Sequence, residues 1–141
     1  MADHPFTVDA AQAALLQNFA PWVLDLDLTV TETSDRHVTC RMPLAPRLAR
    51  VGGIVSGQAL TAMADTAMVL AASAARGAFT PFATTNLDTQ FLRPGTGPAI
   101  VCRAEIVRTG RALTFAQARM SAEDSGKPVA TATATLFAPQ G

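Results

Sequence analysis

The chain has 141 residues, 49% of them hydrophobic and 16% charged, with a formal net charge of zero at pH 7. That length fits one domain, residues 1–141, and leaves too little material for two cores. The hydrophobic content argues against disorder, and the even charge leaves no broad basic surface with which to hold nucleic acid.

The N-terminus, MADHPFTVDAAQ, lacks the basic region and apolar core of a signal peptide, so a cytoplasmic location is expected. Asp9 to Asn18 reads as a short helix with Asp9 as N-cap and Leu15 and Leu16 on one face, stopped by Pro21. Leu24, Leu26, Leu28 and Val30 then alternate with Asp25, Asp27, Thr29 and Thr31, the period of a half-buried strand. Ser34-Asp35 makes a turn, and Arg36 to Leu44 is its hairpin partner. Ala45 to Val55 is a loop ending in Gly52-Gly53, a place for backbone dihedrals closed to other residues.

A long helix follows, from about Ser56 to Arg76. Between those two residues the only charge is Asp65, and most other positions are Ala, Gly, Ser or Thr. A helix so poor in charge is expected to be buried nearly all round. Its longest apolar run, Ala59–Ala75, carries Asp65 and is built from small residues, which excludes a membrane span. After Gly77 four strands are expected, Phe82–Leu92, Ala99–Thr109, Leu113–Glu123 and Val129–Phe137, separated by turn-forming residues. The order of helix, two strands, long helix and four strands predicts an α+β fold, an antiparallel sheet wrapped on one central helix. Cys40 and Cys102 stand alone, without metal-ligand spacing, and read as two reduced, partly buried thiols. No metal site is expected.

Any chemistry should centre on the long helix. A buried carboxylate costs several kcal/mol unless it is hydrogen-bonded, neutralised or used, and a neighbouring hydroxyl such as Thr61 or Thr66 would satisfy Asp65 structurally. At the helix start, Ser56 is a preferred N-cap, and Gly57 and Gln58 present free N–H groups at the positive end of the macrodipole. Such amides can hold a carbonyl oxygen as it turns into an oxyanion. Gly57 and Asp65 lie about 12 Å apart along the helix at 1.5 Å rise per residue. One chain therefore does not easily bring both to a single bond. A two-fold dimer with antiparallel central helices would set Gly57 of one subunit near Asp65 of the other.

Three segments, Gly57-Gln-Ala-Leu-Thr-Ala-Met-Ala-Asp65-Thr-Ala-Met, Thr84-Thr-Asn-Leu-Asp-Thr-Gln-Phe-Leu-Arg-Pro94 and Val107-Arg-Thr-Gly-Arg-Ala-Leu113, resemble hotdog-fold acyl-CoA thioesterases of the phenylacetate-degradation type. The similarity runs from about Trp22 to Phe137 in element order. It implies a hotdog fold, homodimers that commonly pair into tetramers, and hydrolysis of a coenzyme A thioester at the dimer interface, with no cofactor beyond the coenzyme A of the substrate. Carried over by position, Asp65 matches the catalytic acid, a general base or nucleophile. Gly57 matches the glycine whose amide polarises the thioester carbonyl. Thr84 matches a hydroxyl residue that positions water or the acid. Arg93 and Arg111, cations beside strand-end turns, are the expected phosphate partners. Where the family usually has His-Gly-Gly, this chain has Ser56-Gly57-Gln58. Where the family often has Asn, this chain has Arg50, a residue able to bind phosphate or alter the acyl fit. Ser56 either caps the helix or donates its hydroxyl to the site.

Ala62, Met68 and Phe82 are expected to line a pocket for a medium-sized apolar or aromatic acyl group. The alternative reading is a non-catalytic acyl-CoA binding protein of the same fold. A hotdog dehydratase would pair a His with an acid, but His4 and His37 lie away from the helix motif. The chain has no G-x-G-x-x-G, P-loop or G-x-S-x-G motif.

Overall fold

The computed structural model describes residues 5–139. Its elements are α1 (Val8–Asn18), α2 (Pro21–Leu24), β1 (Thr29–Thr33), β2 (His37–Pro43), a 3-10 turn (Pro46–Leu48), α3 (Gly57–Arg76), β3 (Ala83–Phe91), β4 (Ala99–Thr109), β5 (Leu113–Ala122) and β6 (Pro128–Phe137). The six strands form one antiparallel sheet in the order β1-β2-β4-β5-β6-β3, and α3 packs across one face of it. This is the hotdog arrangement expected from the sequence.

The core is where α3 meets the sheet. Met63, Ala67, Met68, Leu70 and Ala71 of the helix are fully buried. Opposite them, the in-register row Cys40, Cys102, Met120 and Ala130 crosses four strands, also fully buried. Small residues on α3 let its axis approach the sheet closely, and the larger Met and Leu side chains fill what remains. Gly77 ends the helix in the left-handed region at φ 81°, its N–H donating to the carbonyl of Ala74. The two thiols are more deeply buried than expected, and they touch: hydrogen bonding with Cys40, together with burial, holds the Cys102 thiol well above its ordinary pKa. A thiol kept protonated in this way is chemically quiet.

The first third of the chain departs from the expectation. The cap of α1 is Thr7, whose Oγ1 accepts the N–H of Ala10, rather than Asp9, which sits inside the first turn. Leu15 is buried but Leu16 is 58% exposed, because adjacent helical residues point about 100° apart. Pro21 does more than stop α1: it occupies the first position of α2, where its missing N–H costs nothing. The alternation from Leu24 to Val30 does bury Leu26, Leu28 and Val30, yet regular pairing begins only at Thr29, since Leu24 belongs to α2 and Asp27 turns the chain at φ 55°. Period-two burial here comes from a helical turn followed by a strand. The four later strands fall within one residue of expectation at each end.

The two flanks of the sheet differ. At β1, Gln12 of α1 reaches over the edge, its Nε2 donating to the Leu28 carbonyl at 3.1 Å and its Oε1 accepting the Val30 N–H at 2.7 Å. At the other flank β3 pairs only with β6 among the described residues, and its residues are exposed or half-buried along its whole length.

Candidate active site

Not all of α3 is covered. Gln58 is exposed, and Thr61, Ala62 and Asp65 are half-buried along one open stripe beside β3. The expectation of burial all round therefore fails on that stripe, since the sheet covers only the opposite side of the helix. Asp65 sits at the middle of the helix, and Thr84 Oγ1 donates to its Oδ1 at 2.7 Å. The hydroxyls expected as structural partners do not serve it: Thr66 donates to the Ala62 carbonyl at 2.8 Å, back along its own helix. A shift in strand register between Thr84 and Asn86 bends the start of β3, and the Thr85 hydroxyl turns away to the Thr135 carbonyl. Such irregularities re-aim side chains next to functional sites.

At the head of α3, Ser56 Oγ accepts the Ala59 N–H at 3.2 Å, so this side chain caps the helix as expected. With the third amide thus satisfied, the N–H groups of Gly57 and Gln58 are those at the positive end of the dipole. A Cβ on Gly57 would lie 3.3 Å from the Phe91 ring, so the absence of a side chain lets β3 run close to the helix head.

Asp65 and Gly57 open on one groove of ≈ 510 Å³, floored by Thr61 and Ala62 and walled by Trp22, Leu87 and Phe91, with Gln58 beside Gly57. The floor contains Ala62 as expected. Met68 is excluded, fully buried on the sheet side of the helix, and Phe82 instead packs under the Arg76 guanidinium at 5.2 Å. Trp22, Leu87 and Phe91 were not foreseen as walls. Phe91 lay within a recognised segment, and the Ala20-Pro21 helix start is the sequence signal that would have turned Trp22 outward.

A second depression of ≈ 390 Å³ adjoins the groove, sharing Gly57 and Phe91 and bringing Arg50 and Arg93 together. Arg50 stands on a tight turn that uses Gly52 and Gly53 at positive φ, its Nη1 donating to the Val51 carbonyl. Arg111 is elsewhere: its carbonyl accepts from Arg76, at the last turn of α3. A 20-residue helix is about 30 Å long, so within one subunit Arg111 does not join Arg50 and Arg93. His37 lies in β2, bonded to Ser34, away from the groove, and His4 lies outside the described residues. No group of His, Cys, Asp and Glu among the described residues is placed to hold a metal ion, and none of their helices is long and apolar enough to cross a membrane.

Comparison with known proteins points the same way. The model of the thioesterase superfamily matches residues 52–129, more than half of the chain and every groove residue except Trp22. A candidate esterase of Thermoplasma acidophilum is 32% identical over 92 residues, 64% of this chain and 68% of its own. The crystal structure of a candidate thioesterase from Silicibacter sp. TM1040 superposes with a TM-score of 0.85 at 27% identity, covering 98% of this chain and 95% of that one. A thioesterase family protein from Silicibacter pomeroyi gives 0.83 at 26% identity, with 94% and 98% covered.

Proposed function

The chain belongs to the thioesterase superfamily, and on that premise we propose that it hydrolyses acyl-CoA thioesters, as an enzyme of the phenylacetate-degradation type. The observation that carries this reading is the placement of a carboxylate with a hydroxyl partner, Asp65 and Thr84, on the same groove as the free amides at the head of α3.

The chemistry needs few parts. Water adds to the thioester carbonyl carbon while Asp65 takes its proton, or Asp65 attacks directly and water later cleaves the anhydride. The carbonyl oxygen gathers charge against the Gly57 N–H. Collapse of the tetrahedral species restores the carbonyl and expels coenzyme A as a thiolate, a good leaving group that asks for little acid assistance. Ser56 serves as the cap that holds those amides in place, and Gln58, beside Gly57, meets the thioester end of the substrate. Arg50 and Arg93 meet the phosphates. No cofactor is required, coenzyme A being part of the substrate, and such a substrate goes with a cytoplasmic location.

Gly57 and Asp65 of one subunit are too far apart for one carbonyl, so the reading includes a homodimer, paired in turn into a tetramer. The open edge of β3 supports it, because an unpaired strand is a template for another. A two-fold axis across that edge sets the α3 helices antiparallel and exchanges their ends. It also carries the partner's last helical turn, where Arg111 is found, toward the Arg50 end of the groove.

Thiol release from a panel of acyl-CoAs tests the proposal. Turnover by the wild type that survives unchanged in Asp65→Asn would remove Asp65 from the mechanism. Binding without turnover of any thioester would favour a non-catalytic acyl-CoA binder.

A further inference from the structure

One wall of the groove, Trp22, comes from a part of the chain outside the recognised segments. Trp22 is the only tryptophan, and it is 61% exposed. Aromatic side chains of that size normally bury most of their surface. Its neighbours do so: Val23 is 9% exposed and Leu26 3%. The segment is also pinned. Arg47 donates to the Asp25 carbonyl at 2.8 and 3.0 Å and to Asp27 Oδ2 at 2.6 Å, tying α2 to the loop that leads into α3. The indole is thus held out over the Thr61–Ala62 floor on an anchored backbone, facing the same cavity as Asp65.

We propose that Trp22 is a specificity-determining residue, selecting acyl groups with an apolar body of about six carbons or more over acetyl. The assignment rests on the groove being the thioester site. The polar atoms of the groove, on Asp65, Thr61 and Gln58 and at the head of α3, are matched to the reacting carbonyl and to water. Atoms beyond that carbonyl meet Trp22, Ala62, Leu87 and Phe91. The gain from such a wall grows with each methylene removed from water. An acetyl methyl collects little of it, whereas a longer chain or a ring covers the indole face. Because the indole is already fixed in the open site, little freedom is lost when the acyl group arrives.

Two readouts test this. In the first, kcat/KM is measured on hexanoyl-CoA and acetyl-CoA for wild type, Trp22→Ala and Trp22→Phe. The expected result is a loss of roughly tenfold or more on hexanoyl-CoA in Trp22→Ala, carried mainly by KM. The loss on acetyl-CoA is expected to be several-fold smaller, and Trp22→Phe recovers much of the preference. Equal losses on both substrates would overturn the assignment.

In the second, a non-hydrolysable hexanoyl-CoA thioether is titrated into wild type while tryptophan emission is followed. The chain has no tyrosine and one tryptophan, so the signal is that of Trp22 alone. A saturable change is expected; unchanged emission with calorimetric evidence of binding would overturn the assignment. A wild type that binds the thioether yet releases no thiol from any acyl-CoA overturns the hydrolase reading alone. In that case weaker thioether binding by Trp22→Ala still supports the role of Trp22, and unchanged binding overturns it.

Discussion

The Thr84 hydroxyl donates to Asp65 Oδ1 across 2.7 Å, joining the first residues of β3 to the middle of α3. One carboxylate oxygen is thereby committed to a protein donor, the other takes no donor among the described residues, and the side chain lines the groove. Removing the carboxylate charge with Asp65→Asn is expected to lower kcat by roughly a hundred- to ten-thousandfold, the range for a general base. Thr84→Val keeps the shape and deletes the O–H. It should lower kcat about tenfold with little change in KM, since a hydrogen bond to a charged group contributes about 1.5–3 kcal/mol. Steady-state thiol release on both variants checks the pair, and a Thr84→Val enzyme as fast as wild type would deny the hydroxyl any positioning role.

Gly57 is helical and its φ is not positive, so alanine there is not strained by backbone conformation. The added methyl would lie 3.3 Å from the Phe91 ring, which is 55% exposed and free to shift by a few tenths of an ångström. Gly57→Ala should therefore melt within about 2 °C of wild type, a change of less than 1 kcal/mol. The ring then moves into the groove beside the proposed carbonyl site, and kcat/KM should fall about tenfold. Calorimetry and kinetics on the same preparation separate the two effects.

His37 links the fold to pH. Burial, then the nearby positive charge of Arg103, lower its pKa below the ordinary 6.5, against smaller opposing effects from Glu32 and Glu105. Its Nε2 is buried without a hydrogen-bond partner, and its Nδ1 is 2.6 Å from Ser34 Oγ. The unfolded chain therefore binds a proton at higher pH than the folded one. The stability involved is fully present above pH 6.5 and is lost as the pH falls from there through the lowered folded value, where the loss levels off. Urea midpoints at pH 7.5 and 5.5 should show a smaller drop for His37→Asn than for wild type.

Gln12 satisfies two main-chain groups at the start of β1, on Leu28 and Val30, with one side chain. Gln12→Ala leaves the Val30 N–H and the Leu28 carbonyl without that partner, at a cost of about 1–3 kcal/mol. Chemical denaturation measures it; an unchanged midpoint would mean that water replaces the amide without penalty.

Sequence periodicity located the sheet and the central helix because their burial is one-sided and their turns carry Gly, Pro, Asp and Ser. It misread Leu24 to Val30, where a helical turn and a strand together mimic alternation. It also misjudged α3: the scarcity of charge suggested burial all round, whereas the stripe through Thr61 and Asp65 is open. Small residues such as Ala62 suit both a packed interface and the floor of a groove, and composition does not distinguish them. Asp65 and Gly57 could be marked because a lone acid and a glycine beside a helix cap are conspicuous, whereas Thr84 is marked only through the family resemblance. The place of Trp22 in the groove wall could not be marked, since it depends on sharing a cavity with Thr61 and Ala62, about 40 positions away in the chain, and no local pattern encodes that pairing.

The unequal flanks of the sheet set a valence. A sheet with two bare edges can add copies at both ends and grow without limit. Here Gln12 covers the start of the short β1 edge, so the long edge each chain has to offer is the one at β3. Two chains that join through it use up the offering of both, and growth of the sheet edge to edge stops at a pair. By the same reasoning, loosening α1 from β1 would convert a self-limiting subunit into one able to polymerise.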